Sequence, residues 1–115
     1  LFETHMPLAD NARKHACQML VDAVSDKAKD NTPAFCTGDF NATPDAPEIA
    51  TTICQSGILK DAYREATIQH GALFTFPSKK TRIDFIFVKH ATVLSTRTIV
   101  SSLSDHYPMV IVVEI

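Results

Sequence analysis

The sequence has 115 residues, of which 45% are hydrophobic and 21% are charged, with a formal net charge of −2. This length and composition are typical of one globular domain and exclude a multidomain enzyme. The slightly negative charge excludes nucleic-acid binding through a positive charge spread over the whole chain. Apolar runs stay far below the ~20 residues that cross a bilayer, so we expect no membrane span. The three cysteines form no CxxC pair, which argues against a zinc site and a disulfide framework.

The first third of the chain predicts a strand, a helix and a second strand. Leu1 to Met6 has strand character and ends at a proline. From Asp10 to about Lys29, apolar residues recur every three or four positions, which predicts an amphipathic helix with Arg13 on its polar side. Ala34 to Thr37 is an apolar run that stops at Gly38 and predicts a buried strand.

The remainder predicts one further helix and then several strands. Asp45 and Glu48 have the spacing of a helix cap, so we expect a helix over Ile49 to Gln55. Ile58 to Ala72 predicts a short strand or turn and then a loop. β-branched and aromatic residues predict four strands: Leu73 to Phe76, Arg82 to His90, Thr92 to Val100 and Pro108 to Ile115. The order of these elements predicts a mixed α/β domain in layers.

Asp84 lies among apolar residues of a predicted strand, and a buried carboxylate without a partner is very costly. One interpretation is a structural ion pair with Arg82 or with a lysine. The other is a histidine partner, for which the Asp105-His106 dipeptide, in a polar loop before the last strand, is the candidate. Taken alone, that dipeptide is equally typical of a surface turn.

Asp39 and Asn41 follow the buried strand that ends at Gly38, and their spacing allows both side chains to project into a cleft beyond the strand end. Carboxylate and amide groups there are suited to a hydrated Mg²⁺ and an oriented water. The alternative is an Asx turn. His5 lies at another predicted junction of strand and loop.

Four ordered segments resemble motifs of the endonuclease/exonuclease/phosphatase superfamily, the group of deoxyribonuclease I: Thr4-His5, Gly38-Asp39-Phe40-Asn41, Arg82-Ile83-Asp84-Phe85-Ile86-Phe87 and Ser104-Asp105-His106. The resemblance extends over residues 1–115 and is greatest to short bacterial members. It implies half of a two-layer β-sandwich flanked by helices. It also implies a phosphoester hydrolase that uses Mg²⁺, with Mn²⁺ or Ca²⁺ as substitutes.

The resemblance assigns a role to each matching side chain. Asp39 would orient or deprotonate the attacking water, and Asn41 would hold that water or a phosphate oxygen. His106 would contact the scissile phosphate, while Asp84 would orient His106 and favour its charged form. His5 would donate to phosphate or to the leaving oxygen.

The resemblance also implies a metal held by Asp105, Asp39 and Asn41, but the glutamate that is the family's principal metal ligand has no counterpart here. We therefore expect residues 1–115 to be the C-terminal portion of one domain, with the N-terminal half absent and the natural start upstream of Leu1. An exposed sheet would then allow self-association. The expected partner is a phosphate ester, either a small molecule or nucleic acid. The alternative function is a catalytically silent module that binds phosphate or a partner.

Overall fold

The computed structural model describes residues 1–115 as seven strands in two sheets, with the main helix against the first sheet. The strands are β1 (Phe2–His5), β2 (Ala34–Asp39), β3 (Lys60–Asp61), β4 (Ile68–Gly71), β5 (Asp84–Lys89), β6 (Thr92–Thr98) and β7 (Met109–Glu114). The helices are α1 (Asp10–Lys27) and the short α2 (Ala62–Glu65). None of the helices combines the length and apolar character needed to cross a bilayer. The predicted mixed α/β fold with two sheets is confirmed.

The first sheet has the strand order β1-β2-β5-β3, with β1 parallel to β2 and the other neighbours antiparallel. Its register pairs His5 with Asp39 and Asp39 with Asp84. Three polar side chains predicted for the site therefore lie in one row across three strands.

Gly38 is required for this row because β1 approaches β2 too closely for a side chain. A Cβ atom at Gly38 would lie 1.8 Å from the backbone oxygen of Thr4. The clash is with backbone, so relief would require β1 to move away from β2. Glycine at this position therefore keeps His5 beside Asp39.

The main core lies between α1 and the first sheet. Cys17, Val21 and Val24 of α1 are buried, and they pack in one cluster with three phenylalanines: Phe40, Phe85 and Phe87. The phenylalanine ring centroids lie 5.0 to 5.6 Å apart in edge-on and stacked arrangements. Since Phe85 and Phe87 occupy the helix side of β5, strand alternation directs Asp84 to the opposite side.

The second sheet has the order β4-β6-β7 and packs one face against the first sheet. Val93 of β6 is buried with Val88 of β5, and alternate residues of β7 contribute to this smaller cluster. The other residues of β7 include Val110 and Val112, which are about half exposed. Self-association through such an exposed surface stays a prediction.

Two of the predicted elements are wrong in position. Leu73 to Phe76 is not a strand, since Phe76 forms only an isolated bridge with Thr81. A strand instead occupies Ile68–Gly71, inside the predicted loop. All four residues of β4 are exposed, so its sequence shows no apolar alternation. Backbone pairing with β6 makes this segment a strand.

The predicted helix over Ile49 to Gln55 is a π-helix at Glu48–Ile53 followed by a 3₁₀ turn at Cys54–Ser56. Asp45 does not cap it but accepts a hydrogen bond from the hydroxyl of Thr43. Glu48 is buried and accepts a hydrogen bond from Nε of Arg13 at 2.7 Å. Arg13, predicted on the polar side of the helix, is instead buried. Its charge is compensated by Glu48, which is far away in sequence but in direct contact.

A second buried ion pair joins Arg82 and Asp61, with two hydrogen bonds of 2.8 and 3.1 Å. The guanidinium also lies over the ring of Tyr63, 4.3 Å from its centroid. Arg82 is thus not the partner of Asp84, and the structural ion pair considered for Asp84 does not form.

Replacing Arg82 by methionine leaves the buried carboxylate of Asp61 uncompensated. We expect the free energy of unfolding to fall by about 3–5 kcal/mol in Arg82→Met. The matched control is Arg64→Met, since Arg64 is exposed, and its effect should stay within about 0.5 kcal/mol. Urea unfolding of the three proteins measures both values. Equal stabilities for the two variants would contradict a structural role for the pair.

Candidate active site

Four side chains meet where β1 and β2 end and β5 begins. His106, from the loop before β7, places Nδ1 2.7 Å from Oδ2 of Asp84 and Nε2 3.8 Å from Oδ2 of Asp39. His5 approaches the same oxygen of Asp39, with Nε2 at 3.5 Å, although its side chain is 76% exposed. The structure therefore brings together four of the five residues predicted to be catalytic.

Asp84 finds the histidine partner that the sequence left open. An ionised carboxylate only accepts hydrogen bonds, so Nδ1–H of His106 donates to Asp84. This bond fixes the tautomer of a neutral His106 and leaves Nε2 directed toward Asp39. Residues 22 apart in sequence thus form a hydrogen-bonded pair, named the His106–Asp84 pair below.

Electrostatics favour the charged form of His106. Partial burial alone would lower its pKa, but the hydrogen bond to Asp84 and the charges of Asp84, Asp39 and Asp105 outweigh that effect. The net result is a pKa of His106 raised above its ordinary value. The imidazolium form is therefore more populated near neutral pH than in an isolated histidine.

His106 lies between two surface grooves. One, of about 520 Å³, contains Asp39 and Asp84. The other, of about 570 Å³, contains Asn41 and Lys79. A molecule in either groove can reach the imidazole, so the site is accessible from two sides.

Asn41 and Asp105 lie outside the cluster. The side-chain amide of Asn41 donates to the backbone oxygen of Met6 at 2.7 Å, and its backbone N–H donates to Oδ1 of Asp39 at 2.9 Å. Asn41 therefore joins the chain after β2 to the end of β1, in the Asx-type turn considered from sequence. Asp105 is exposed, beside the hydroxyl of Ser104. Catalysis by Asn41, and metal binding by Asn41 and Asp105, stay predictions.

The donor atoms suit a divalent metal only in part. One ligand atom each from Asp39, Asp84 and His106 lies within 4.8 Å of the others. Nδ1 of His106 and Oδ2 of Asp84 are already bonded to each other, which leaves Asp39 as the carboxylate best placed to receive an ion. A hydrated Mg²⁺, which keeps several waters and takes few protein ligands, fits such a donor set.

Two residues that contact the pair were missed in the sequence. The ring of Phe76 lies 4.9 Å from that of His106, and the hydroxyl of Thr75 accepts hydrogen bonds from the backbone of Ile83 and Asp84. Thr75 and Phe76 carry no sequence signal of this role, since both lie in a segment that predicts an ordinary strand.

Comparison with known proteins identifies the family. The model of the Endonuclease/Exonuclease/phosphatase family matches residues 3–106 of this chain. The chain belongs to this family. Membership confirms the resemblance drawn from the four segments, and it usually means metal-dependent hydrolysis of phosphoesters. No curated protein matches the sequence.

Solved structures of the endonuclease/exonuclease/phosphatase family share this fold. A Bacteroides vulgatus member is 28% identical with a TM-score of 0.84, over 96% of this chain and 47% of that one. A mannosyl-6-phosphatase from Bacteroides thetaiotaomicron is 22% identical with a TM-score of 0.86, over 98% and 50%. A Staphylococcus aureus beta toxin is 16% identical with a TM-score of 0.68, over 93% of this chain and 50% of that one. The chain thus spans about half the length of these relatives.

The raised pKa of His106 depends on Asp84, so we expect that pKa to fall in Asp84→Asn. A raised folded-state pKa stabilises the protein fully below the unfolded value of about 6.5, and this contribution is lost as pH rises through the folded pKa. The variant should therefore lose stability mainly at acidic pH. NMR titration of the His106 ring measures the pKa, with the exposed Asp26→Asn as control. An unchanged pKa in Asp84→Asn would refute the electrostatic assignment.

Proposed function

We propose that this chain carries the phosphate-binding and proton-transferring side of a metal-dependent phosphoester hydrolase. The observation that carries the proposal is the His106–Asp84 pair beside Asp39, with Nδ1 bonded to Asp84 and Nε2 on the side of Asp39. Family membership supports the same reaction class. The proposed reaction is attack of water on phosphorus, assisted by Asp39 and His106, with cleavage of the P–O ester bond and release of the alcohol.

Charge and geometry divide the work between these residues. The Asp39 carboxylate orients the attacking water and, as general base, accepts its proton. Protonated His106 donates from Nε2 to a phosphoryl oxygen, where negative charge grows in the transition state. Asp84 keeps the imidazole oriented and charged, as the raised pKa of His106 indicates. His5, exposed and close to Asp39, donates to phosphate at the mouth of the site.

The proposed cofactor is Mg²⁺, with Mn²⁺ or Ca²⁺ as substitutes. Asp39 is the proposed principal ligand within this chain, and the predictions of Asn41 and Asp105 as further ligands are retained as proposals. The ion, when bound, neutralises phosphate charge and polarises a phosphoryl oxygen. We also retain the proposal that residues 1–115 are the C-terminal portion of one domain, with a further acidic ligand supplied by another portion.

We propose a phosphate ester of a small molecule as the substrate. The mannosyl-6-phosphatase among the similar folds supports a phosphorylated sugar. The formal net charge of −2 disfavours a long nucleic acid, which requires many phosphate contacts from basic side chains.

The second candidate is a module that binds phosphate without hydrolysis. The observation in its favour is that Asp39 is the one carboxylate of the cluster without a close bond to His106. With one free carboxylate, this chain supplies few of the oxygen ligands that surround a hydrated Mg²⁺. Phosphate binding by the chain without turnover would support this candidate.

Removing the charge of Asp39 tests the hydrolase directly. We expect kcat for a generic phosphomonoester to fall by about 10²–10⁴-fold in Asp39→Asn, since the water loses its general base. Asp22→Asn, an exposed change on α1, is the matched control and should retain full activity. A phosphodiester assayed in parallel distinguishes the two ester classes. Equal activity in Asp39→Asn and the control would contradict the proposed role.

Metal dependence has its own test. Hydrolysis should stop in EDTA and return on addition of excess Mg²⁺, because the reaction needs the ion to stabilise charge on phosphorus. Circular dichroism in EDTA should show an unchanged fold, since the core contains no predicted metal ligand. Full activity in EDTA would contradict the metal-dependent mechanism.

A further inference from the structure

Thr75 contacts both chain segments that carry the His106–Asp84 pair. It is fully buried, in the irregular segment between β4 and β5. Its hydroxyl oxygen accepts hydrogen bonds from the backbone N–H groups of Ile83 and Asp84, both at 3.1 Å. Its backbone oxygen accepts from the N–H of Tyr107, the residue after His106, at 2.7 Å. One residue therefore contacts the backbone on each side of the pair.

We propose that Thr75 is a positioning residue that sets the hydrogen bond between Asp84 and His106. The side-chain hydroxyl of Thr75 bonds to the backbone at the start of β5. Its backbone carbonyl bonds to the backbone of the loop before β7. The hydrogen bonds of Thr75 thereby determine the separation of Asp84 and His106. This inference rests on the proposed function only for its effect on catalysis.

The start of β5 needs this support because β3 does not reach it. Strand β3 pairs with β5 only at Phe87 and Val88. The N–H groups of Ile83 and Asp84 instead meet a buried side-chain oxygen. A buried N–H group that loses its acceptor costs free energy, so the backbone at Asp84 would shift to recover a partner.

The loop that carries His106 also depends on this contact. The N–H of His106 bonds within its own loop, to the hydroxyl of Ser104 at 3.1 Å. The N–H of Tyr107 reaches across to Thr75 and so ties the loop to the segment beside β5. Phe76, which follows Thr75 in the sequence, packs its ring against that of His106. Movement at Thr75 is therefore transmitted to the imidazole through backbone and ring contacts.

Thr75→Val tests the link because it keeps the shape of the side chain and removes the acceptor. Thr75→Ser restores the hydroxyl. The matched control is Thr96→Val, since Thr96 is equally buried and its hydroxyl makes no hydrogen bond to the protein. The readout is the downfield NMR signal of the Nδ1 proton of His106, recorded in EDTA at one pH.

We expect Thr75→Val to shift this signal upfield or broaden it beyond detection. Thr75→Ser should restore the signal, and Thr96→Val should leave it unchanged. A folded Thr75→Val protein with the wild-type signal would overturn the proposal. If Thr75→Val does not fold, hydrogen exchange in the wild-type protein decides: slow exchange at Ile83 and Asp84 supports the proposal, and exchange as fast as in exposed loops overturns it.

Kinetics separate this inference from the proposed function. Where hydrolysis is measured, Thr75→Val should lower kcat by about 10- to 100-fold with little change in KM, as expected when reacting groups are misplaced. Loss of kcat that Thr75→Ser does not recover would count against positioning by the hydroxyl. If neither this chain nor a longer chain that supplies the further acidic ligand shows hydrolysis, the proposed function fails while the NMR result still stands.

Discussion

The register of β1, β2 and β5 is the constraint on which the site depends. Backbone pairing aligns His5, Asp39 and Asp84 in one row, so their separations follow from strand spacing rather than from side-chain choice. Gly38 permits the close approach of β1 that completes the row. A one-residue slip would direct Asp84 toward the helix-packed face and its phenylalanines toward the site. The same strand register therefore determines both the packing of the core and the composition of the site.

Buried charges occur where elements distant in sequence meet. Arg13 and Glu48 join α1 to the π-helix, and Arg82 and Asp61 join the segment before β5 to β3. Such pairs contribute less to stability than apolar packing of equal volume, but each strongly disfavours an arrangement that separates its members. Arg82 lies two residues before Asp84, so its pair helps to define where β5 enters the site.

The site combines the ends of central strands of the first sheet with a loop that makes few contacts to that sheet. Asp39 and Asp84 belong to strands, whereas His106 belongs to a loop that contacts the sheet side through Tyr107 and Thr75. The position of the imidazole therefore depends on contacts with residues outside the His106–Asp84 pair. A buried threonine, Thr75, and a phenylalanine, Phe76, border the pair in this way.

Local pattern alone determined much of this protein. The extent of α1, a strand that begins at Ala34 and the burial of β5 follow from local pattern, and the four ordered segments identified the family. Only the tertiary structure decided the rest. Strand β4, the burial of Arg13 and the contact of Thr75 with Tyr107 depend on partners far along the chain, and hydrophobic patterning carries no information about such partners. The sequence showed that Asp84 needed a partner, but only the packing of the loop before β7 made that partner His106 rather than Arg82.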